Sequence, residues 1–106
     1  MRVLFDQGTP VPLRHVLAQH EIETAFERGW SQLQNGALLD AAERERFEVL
    51  LSTDRNLRYQ QNLTNRRLGI VVLSTTSWPR IQRSVGTVVQ SLNAVAASAY
   101  IELSIP

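Results

Sequence analysis

Residues 47–57 read Phe-Glu-Val-Leu-Leu-Ser-Thr-Asp-Arg-Asn-Leu, and this stretch decides the fold. Its apolar run, Val49 to Leu51, has the length of a strand and ends in the polar turn formers at 52–54. Apolar residues without alternation predict a strand that is buried on both faces, as in a parallel sheet covered by helices. Ligands of such sheets bind beyond the carboxyl ends of the strands, and Asp54 stands at that point. A helical turn is expected from Arg55.

A second stretch repeats this design at the start of the chain. Val3-Leu4-Phe5 forms a short apolar run that leads directly into Asp6. If the two strands are neighbours in one parallel sheet, the carboxylates of Asp6 and Asp54 face the same crevice. This pair is the main functional signal of the sequence.

The rest of the chain alternates predicted helices with predicted strands. Besides the strand in residues 47–51, strands are expected at 2–6, 21–26, 69–73 and 100–105. Helices are expected from Pro12 to about Gln19, from an N-cap at Asn35 to about Arg46, and from Ser84 to Ala97, whereas 74–79 is expected to be a loop. The pattern predicts an α/β fold, a single three-layer sandwich with a mainly parallel five-stranded sheet that occupies residues 1–106 as one domain.

Length and composition exclude several classes of protein. The 106 residues suffice for one hydrophobic core, and 43% hydrophobic residues is typical of globular chains. No apolar run approaches the ~18 residues that cross a bilayer, and the start of the chain lacks a signal-peptide pattern, so we expect no membrane association and a cytoplasmic location. The absence of cysteine excludes disulfides and thiolate metal sites.

The charge of the chain is unevenly distributed. Residues 1–54 carry a net charge of −4, and residues 55–106 carry +5, with Glu102 as the one acid of that half. All 11 basic residues are arginine. The planar guanidinium suits phosphate groups, but a bias in genome composition explains an absence of lysine equally well.

Asp6 and Asp54 have the chemistry of a metal site. Carboxylates that leave buried strands can hold Mg²⁺ or Mn²⁺, which prefer hard oxygen ligands. Such an ion assists phosphodiester hydrolysis by polarising a phosphoryl oxygen and supplying activated water. The structural alternative is that Asp54 caps the following helix and Asp6 holds a turn.

The segment from Arg55 to Arg67 is a candidate nucleic-acid contact. It contains no acid and combines arginines with tyrosine and side-chain amides, which can grip phosphates, stack on unpaired bases and read base edges. A solvated surface or a protein interface is the alternative. The candidate nucleic-acid-binding residues are Arg55, Arg58, Tyr59, Arg66 and Arg67.

The order and spacing of these motifs resemble a known family. Residues 2–7, the helix that begins near Pro12, residues 50–57 and residues 71–73 together resemble the short PIN-like proteins of prokaryotic toxin–antitoxin pairs, relatives of VapC-type toxins. The resemblance implies a Mg²⁺- or Mn²⁺-dependent ribonuclease whose acids cluster at the carboxyl edge of a parallel sheet. It also implies that Asp6 and Asp54 are the catalytic, metal-binding pair.

The chain departs from the family pattern where further acids are expected. Gln7 follows Asp6, Asn56 follows Asp54 by two residues, and Asn35 opens the middle helix. Amide oxygens can ligate a metal but carry no negative charge, so Asn56 is a candidate neutral ligand. Asp40, one turn into the middle helix, is a candidate compensating acid; its alternative is an ordinary exposed helix acid.

Two functions therefore follow from the sequence. One is a toxin-type ribonuclease that uses Mg²⁺ or Mn²⁺ held by Asp6 and Asp54. The other is a catalytically degenerate PIN-like module that binds RNA or an antitoxin protein. A homodimer is a further expectation, because the last strand leaves a sheet edge open to pairing and the final helix is unusually apolar.

Overall fold

The computed structural model of the chain describes residues 1–60, 63 and 65–106, without the side chains of residues 59 and 60. The strands are β1 (Arg2–Phe5), β2 (Glu21–Thr24), β3 (Val49–Ser52), β4 (Gly69–Leu73) and β5 (Tyr100–Leu103). A 3₁₀ helix (Val11–Leu17) follows β1. The α-helices are α1 (Asn35–Arg44), α2 (Leu57–Gln60), α3 (Trp78–Arg83) and α4 (Val85–Ala94).

The five strands form one sheet in the order β2-β1-β3-β4-β5, and every pairing is parallel. The predicted neighbourhood of the first and third strands is confirmed, with Phe5 paired to Leu51. The chain moves outward in one direction from β1 and in the other from β3. The junction between these two strands is therefore the switch point at which α/β sheets bind ligands.

Side chains that alternate along the strands divide the core into two layers. One layer packs the sheet against the 3₁₀ helix, α3 and α4, and its central members are Val3, Phe5, Val49, Leu51, Val71, Leu73, Leu13, Leu17, Ile81, Val88 and Leu92. The other packs the sheet against α1 and α2 through Leu4, Leu50, Ile70, Val72, Leu38, Leu39, Ala42 and Leu57. Burial of both faces explains why β3 and β4 read as continuous apolar runs. The predicted three-layer α/β fold is confirmed.

Several boundaries differ from the sequence prediction. The segment from Val11 forms a 3₁₀ helix rather than an α-helix, and α1 has Gln34, not Asn35, as its N-cap residue. A single helix is expected from Ser84 to Ala97, but α4 ends at Ala94. A further helix, α3, precedes it and begins within residues 74–79, which are expected to be a loop.

The helix α3 begins at a recognisable cap. Ser77 lies at the N-cap and its side chain accepts a hydrogen bond from the Arg80 backbone N–H, at 3.4 Å. Pro79 stands in the first turn, where its missing N–H costs no hydrogen bond. Ser77 and Pro79 are a helix-start signal in the sequence, but the polar composition of residues 74–77 favours a loop. Across the part of the chain described, no helix is long and apolar enough to cross a membrane.

Candidate metal and phosphodiester site

The two acids singled out by the sequence lie at the same edge of the sheet. Asp6 follows β1, Asp54 follows β3 by two residues, and these strands are neighbours. Both acids line one cavity of about 200 Å³, together with Gln7, Asn35 and Trp30. We call the loops after β1, β2 and β3 the carboxyl rim of the sheet. The structure thus brings Asp6 and Asp54 into one site at this rim.

A close approach of two loops brings the acids together. Gly8, two residues after Asp6, lies so near Thr53 that a Cβ atom at position 8 would overlap the Thr53 hydroxyl. A larger residue would therefore push the loop after β1 away from the loop after β3, or force Thr53 to rotate. Glycine is needed here for space.

The carboxylate of Asp6 is held by three donors. Its Oδ1 accepts hydrogen bonds from the Gly8 backbone N–H at 3.2 Å and from the Thr9 hydroxyl at 2.9 Å. Its Oδ2 accepts a short hydrogen bond from the Ser52 hydroxyl. Each carboxylate oxygen has two lone pairs, so these bonds fix the orientation of the group, occupy both positions of Oδ1 and leave one acceptor position, on Oδ2, for a metal or a substrate.

Ser52 links the two acids. The Ser52 side chain, 1% exposed, donates to Asp6 and accepts a hydrogen bond from the Asp54 backbone N–H at 3.0 Å. The sequence alone indicates a turn former at Ser52 and does not show this link between the acids. The position of Ser52, at the end of a buried strand and close to Asp54, is the sequence feature from which the contact with the acids could have been predicted.

Asp54 has a different set of partners. Its Oδ2 accepts a hydrogen bond from the Asn35 side-chain amide at 3.2 Å, and its Oδ1 accepts from the Asn56 backbone N–H at 3.0 Å. Asn35, at the start of α1, was noted in the sequence for its place in the family pattern. Its contact with Asp54 places it at the site as an orienting group.

The electrostatics of the pair favour a cation. Burial raises the pKa of Asp6, the hydrogen bonds from Ser52, Thr9 and Gly8 oppose that rise, and the negative charge of Asp54 adds to it, so that the pKa lies above its ordinary value. The two carboxylates repel each other and have no ion-pair partner among the described residues, so their mutual repulsion is not compensated within the described structure.

The donor set fits one Mg²⁺ or Mn²⁺ ion. Asp6, Asp54, Gln7 and Asn35 line the cavity, and all four side chains contain oxygen atoms; Mg²⁺ is commonly held by one or two carboxylates while it keeps several waters. Across the described residues, no group of three or more acidic, histidine or cysteine side chains is placed to hold a metal. The pair neutralises one divalent ion, which argues against a two-metal centre.

The other two candidate ligands do not line this cavity. The carboxylate of Asp40 accepts a hydrogen bond from Arg66 at 2.7 Å and does not line the acid-pair cavity. It therefore does not replace a missing acid there, and the structural alternative, an exposed helix acid, describes it better. Asn56 contacts Asp54 through its backbone N–H, and its side chain is exposed. Asp40 lies midway along α1, away from the helix start that reaches the carboxyl rim.

The predicted basic segment is divided between two places. Arg55 is exposed, directly after Asp54, and lines a small cavity with Ser74 and Glu102. Arg66 and Arg67 instead precede β4, so they lie at the amino rim, defined here as the segments that enter the strands. The arginines of the segment therefore lie at two different rims, and their role in nucleic-acid binding stays a prediction.

The remaining candidates of that segment have other surroundings. Arg58, on α2, forms an ion pair with Glu102 at 3.5 Å and lies 6.0 Å from the centre of the Tyr100 ring. The side chain of Tyr59, and Gln61 and Asn62 of the same segment, lie outside the described residues.

A cavity larger than the one at the acid pair lies at the amino rim. It measures about 650 Å³ and includes Arg44, Arg46 and Arg67. We place the candidate site at the smaller cavity because it lies at the switch point and contains the acid pair without cationic partners. A scan against protein-family models, a search of curated proteins and a search of solved structures found no match to this chain.

Proposed function

We propose that the protein is a metal-dependent ribonuclease of the PIN-like, toxin–antitoxin type, which hydrolyses phosphodiester bonds of RNA. The observation that carries the proposal is the pair Asp6 and Asp54, which leave adjacent parallel strands and line one cavity. The resemblance of residues 2–7 and 50–57 to PIN-like proteins supports the same function. It also suggests an antitoxin protein as the natural partner.

Asp6 and Asp54 would hold the ion, with Gln7 and Asn35 as neutral neighbours. A bound Mg²⁺ or Mn²⁺ polarises a phosphoryl oxygen and lowers the pKa of a coordinated water. The protein contributes fixed ligands, since Ser52, Thr9 and Gly8 hold Asp6 while Asn35 holds Asp54. Such preorganisation keeps the carboxylates in place as a phosphate enters.

The test is cleavage of single-stranded RNA in the presence of Mn²⁺. Asp6→Asn and Asp54→Asn keep the shape of each side chain and remove one charge. We expect each to lower the cleavage rate more than about 100-fold, because even groups that support a metal ligand contribute about 10- to 100-fold. EDTA should abolish cleavage by the wild type.

Asp40→Asn is the matched control. It removes an acid that is 65% exposed and paired with Arg66, so cleavage should change less than about 2-fold. Thermal unfolding of each variant checks that the fold is kept. Equal cleavage by wild type and Asp54→Asn would refute the proposed role of the pair.

The alternative function is a binding module that keeps the fold without catalysis. The replacement of expected acids by Gln7, Asn35 and Asn56 favours it, because amides bring no charge to a metal. This alternative predicts RNA or partner-protein binding without Mn²⁺-dependent cleavage. The same assay separates the two functions, since the module binds RNA equally well with Mn²⁺ and with EDTA and leaves it intact.

A further inference from the structure

A second cavity opens on the other side of Asp6. It measures about 390 Å³ and is lined by Asp6, Gln7, Val11, Thr24 and Phe26, among others. Asp6 and Gln7 line both this cavity and the one that contains Asp54. The loop after β1 therefore separates two adjoining cavities of the carboxyl rim, and Asp6 and Gln7 contribute to both.

The second cavity carries an exposed aromatic ring. Phe26 is 77% exposed, and Val11 beside the same cavity is 54% exposed. Phe26 therefore presents an aromatic face to solvent at a cavity that Asp6 also lines, where a flat ligand can stack on it. Neither Phe26 nor Val11 contributes to the two buried core layers.

Reciprocal hydrogen bonds fix the turn that carries Phe26. The Glu27 backbone N–H donates to the Thr24 hydroxyl at 3.0 Å, and the Thr24 backbone N–H donates to a Glu27 carboxylate oxygen at 2.9 Å. This is the capping-box arrangement. Arg14 of the 3₁₀ helix forms an ion pair with the same carboxylate. The backbone beneath Phe26 is thus tied to two elements, which lowers the entropy lost when a ligand stacks on the ring.

We propose that Phe26 is a stacking platform for an unpaired nucleobase of the RNA whose phosphate lies at the Asp6–Asp54 pair. The inference rests on the proposed function and names the substrate class as single-stranded RNA with an accessible base. Gln7, exposed between the two cavities, offers a side-chain amide to the edge of that base. Arg14 and Glu27 neutralise each other, which leaves Asp6 as the charged group of this cavity without an ion pair among the described residues, and the contact between Phe26 and the base is made by their flat apolar faces.

The size of the patch favours a base over a protein partner. A stable protein interface buries about 800 Å² on each side and centres on several apolar anchors. Around Phe26 the apolar lining is completed by Val11, and the other side chains of the cavity are polar or charged. One aromatic ring with a small apolar neighbour matches one stacked base.

The experiment measures binding of a fluorescein-labelled, unstructured oligoribonucleotide by anisotropy in EDTA, which prevents cleavage. Phe26→Ala should weaken binding about 5- to 100-fold, the range for loss of one base–aromatic stack. Phe26→Tyr keeps the ring and should bind within about 2-fold of wild type. Phe26→Leu keeps apolar area without the ring and should resemble Phe26→Ala.

Two controls make the result specific. Val16→Ala truncates another exposed apolar side chain, 42% exposed and outside the cavity, and should not change binding. An abasic oligonucleotide of the same length should bind wild type and Phe26→Ala equally, because it has no base to stack. Unchanged binding of normal RNA by Phe26→Ala would overturn the inference.

Cleavage of the same RNA with Mn²⁺ separates this inference from the proposed function. If wild type cleaves and Phe26→Ala binds normally, the stacking platform is refuted while the ribonuclease stands. If no protein cleaves but binding still depends on the ring, the ribonuclease is refuted and the base platform stands. If Phe26→Ala instead disrupts a dimer in sedimentation and leaves RNA affinity intact, Phe26 contacts a second copy of the chain and the inference is refuted.

Discussion

At the carboxyl rim, Asp6 and Asp54 share a cavity without a cationic partner among the described residues, whereas at the amino rim Glu43 is paired with Arg66 at 2.7 Å. The first arrangement leaves negative charge uncompensated. In the second arrangement the charge of Glu43 is neutralised by Arg66. The two side chains are equally buried, each being 18% exposed. Glu43 therefore contributes to the stability of the fold through its cation, whereas Asp6 and Asp54 keep a charge that no described cation neutralises.

The pKa values of the two rims move in opposite directions. Burial alone raises the pKa of Glu43, but hydrogen bonds from the Arg66 side chain and the Arg67 backbone outweigh it and leave the pKa lowered. The pKa of Asp6 is raised, because burial and the charge of Asp54 outweigh the hydrogen bonds from Ser52, Thr9 and Gly8. An acid kept in an unfavourable electrostatic environment is a mark of a functional site.

The largest effect on stability is expected from Arg66→Ala. It removes contacts with Asp40 and Glu43 and leaves a partly buried carboxylate without its cation, which should cost about 2–3 kcal/mol of unfolding free energy. Arg67→Ala is the matched control, because its exposed side chain has no ion pair among the described residues, and it should change stability by less than about 0.5 kcal/mol. Urea unfolding measures both.

The same two variants test the division between the rims. Neither should alter Mn²⁺-dependent cleavage or RNA affinity, because both arginines lie at the amino rim. If Arg67→Ala weakened RNA binding while its stability was unchanged, RNA would have to reach the amino rim and the comparison would fail.

A smaller effect is expected in the pH dependence of stability, and the two rims should differ in sign. The folded protein holds the Asp6 proton more tightly than the unfolded chain does, so the unfolding free energy falls as pH rises above the ordinary value of 3.8 through the raised pKa. For Glu43 the folded pKa is lowered, so its contribution is complete above the ordinary value of 4.5 and is lost as pH falls through the lowered pKa.

Unfolding in EDTA between about pH 3 and pH 7 tests both signs. Relative to wild type, Asp6→Asn should gain stability as pH rises, and Glu43→Gln should lose it. Equal slopes for wild type and Asp6→Asn would contradict the unfavourable environment of Asp6. Addition of Mn²⁺ at neutral pH should stabilise wild type and not Asp6→Asn, since the ion binds the folded state.

The sequence was sufficient to predict the sheet and the acid pair for one physical reason. Strands buried on both faces leave uninterrupted apolar runs, and parallel strands place the residues that follow them at one rim, so Asp6 and Asp54 could be located together. The strand at 69–73 was predicted with its observed bounds for the same reason. Helix signals were weaker, and the short α3 was missed because its Ser77 cap stands in a polar stretch.

The support of the site could not be predicted to the same extent. Ser52 contacts Asp6, and Asn35 contacts Asp54, across separations in sequence that only the fold closes, whereas Thr9 contacts Asp6 within one loop. The basic segment is continuous in the sequence, but its arginines do not all lie at one rim. Arg55 follows β3 while Arg66 precedes β4, and in a parallel sheet those two positions belong to opposite rims. A charge run that spans a crossover connection therefore need not form one surface.

The smallest expected effect concerns Arg55 and Arg58, three residues apart with different surroundings. Arg55 is exposed and directly follows Asp54 in the chain, and it lines a separate small cavity with Ser74 and Glu102. Arg58 is engaged with Glu102 and Tyr100. Burial and the hydrogen bond to Glu102 raise the pKa of Tyr100 to about 12, so the ring stays neutral beside this pair at physiological pH.

If Arg55 contacts one phosphate, Arg55→Ala should reduce the slope of log affinity against log salt concentration by about 0.7, the value for one contact with a single strand. Arg58→Ala should leave that slope unchanged and alter stability by less than about 1 kcal/mol, because its ion pair is exposed. Anisotropy titrations at several salt concentrations measure both slopes. A larger decrease for Arg58→Ala than for Arg55→Ala would mean that RNA follows α2 away from the acid pair, which would remove the carboxyl rim as the place where substrate binds.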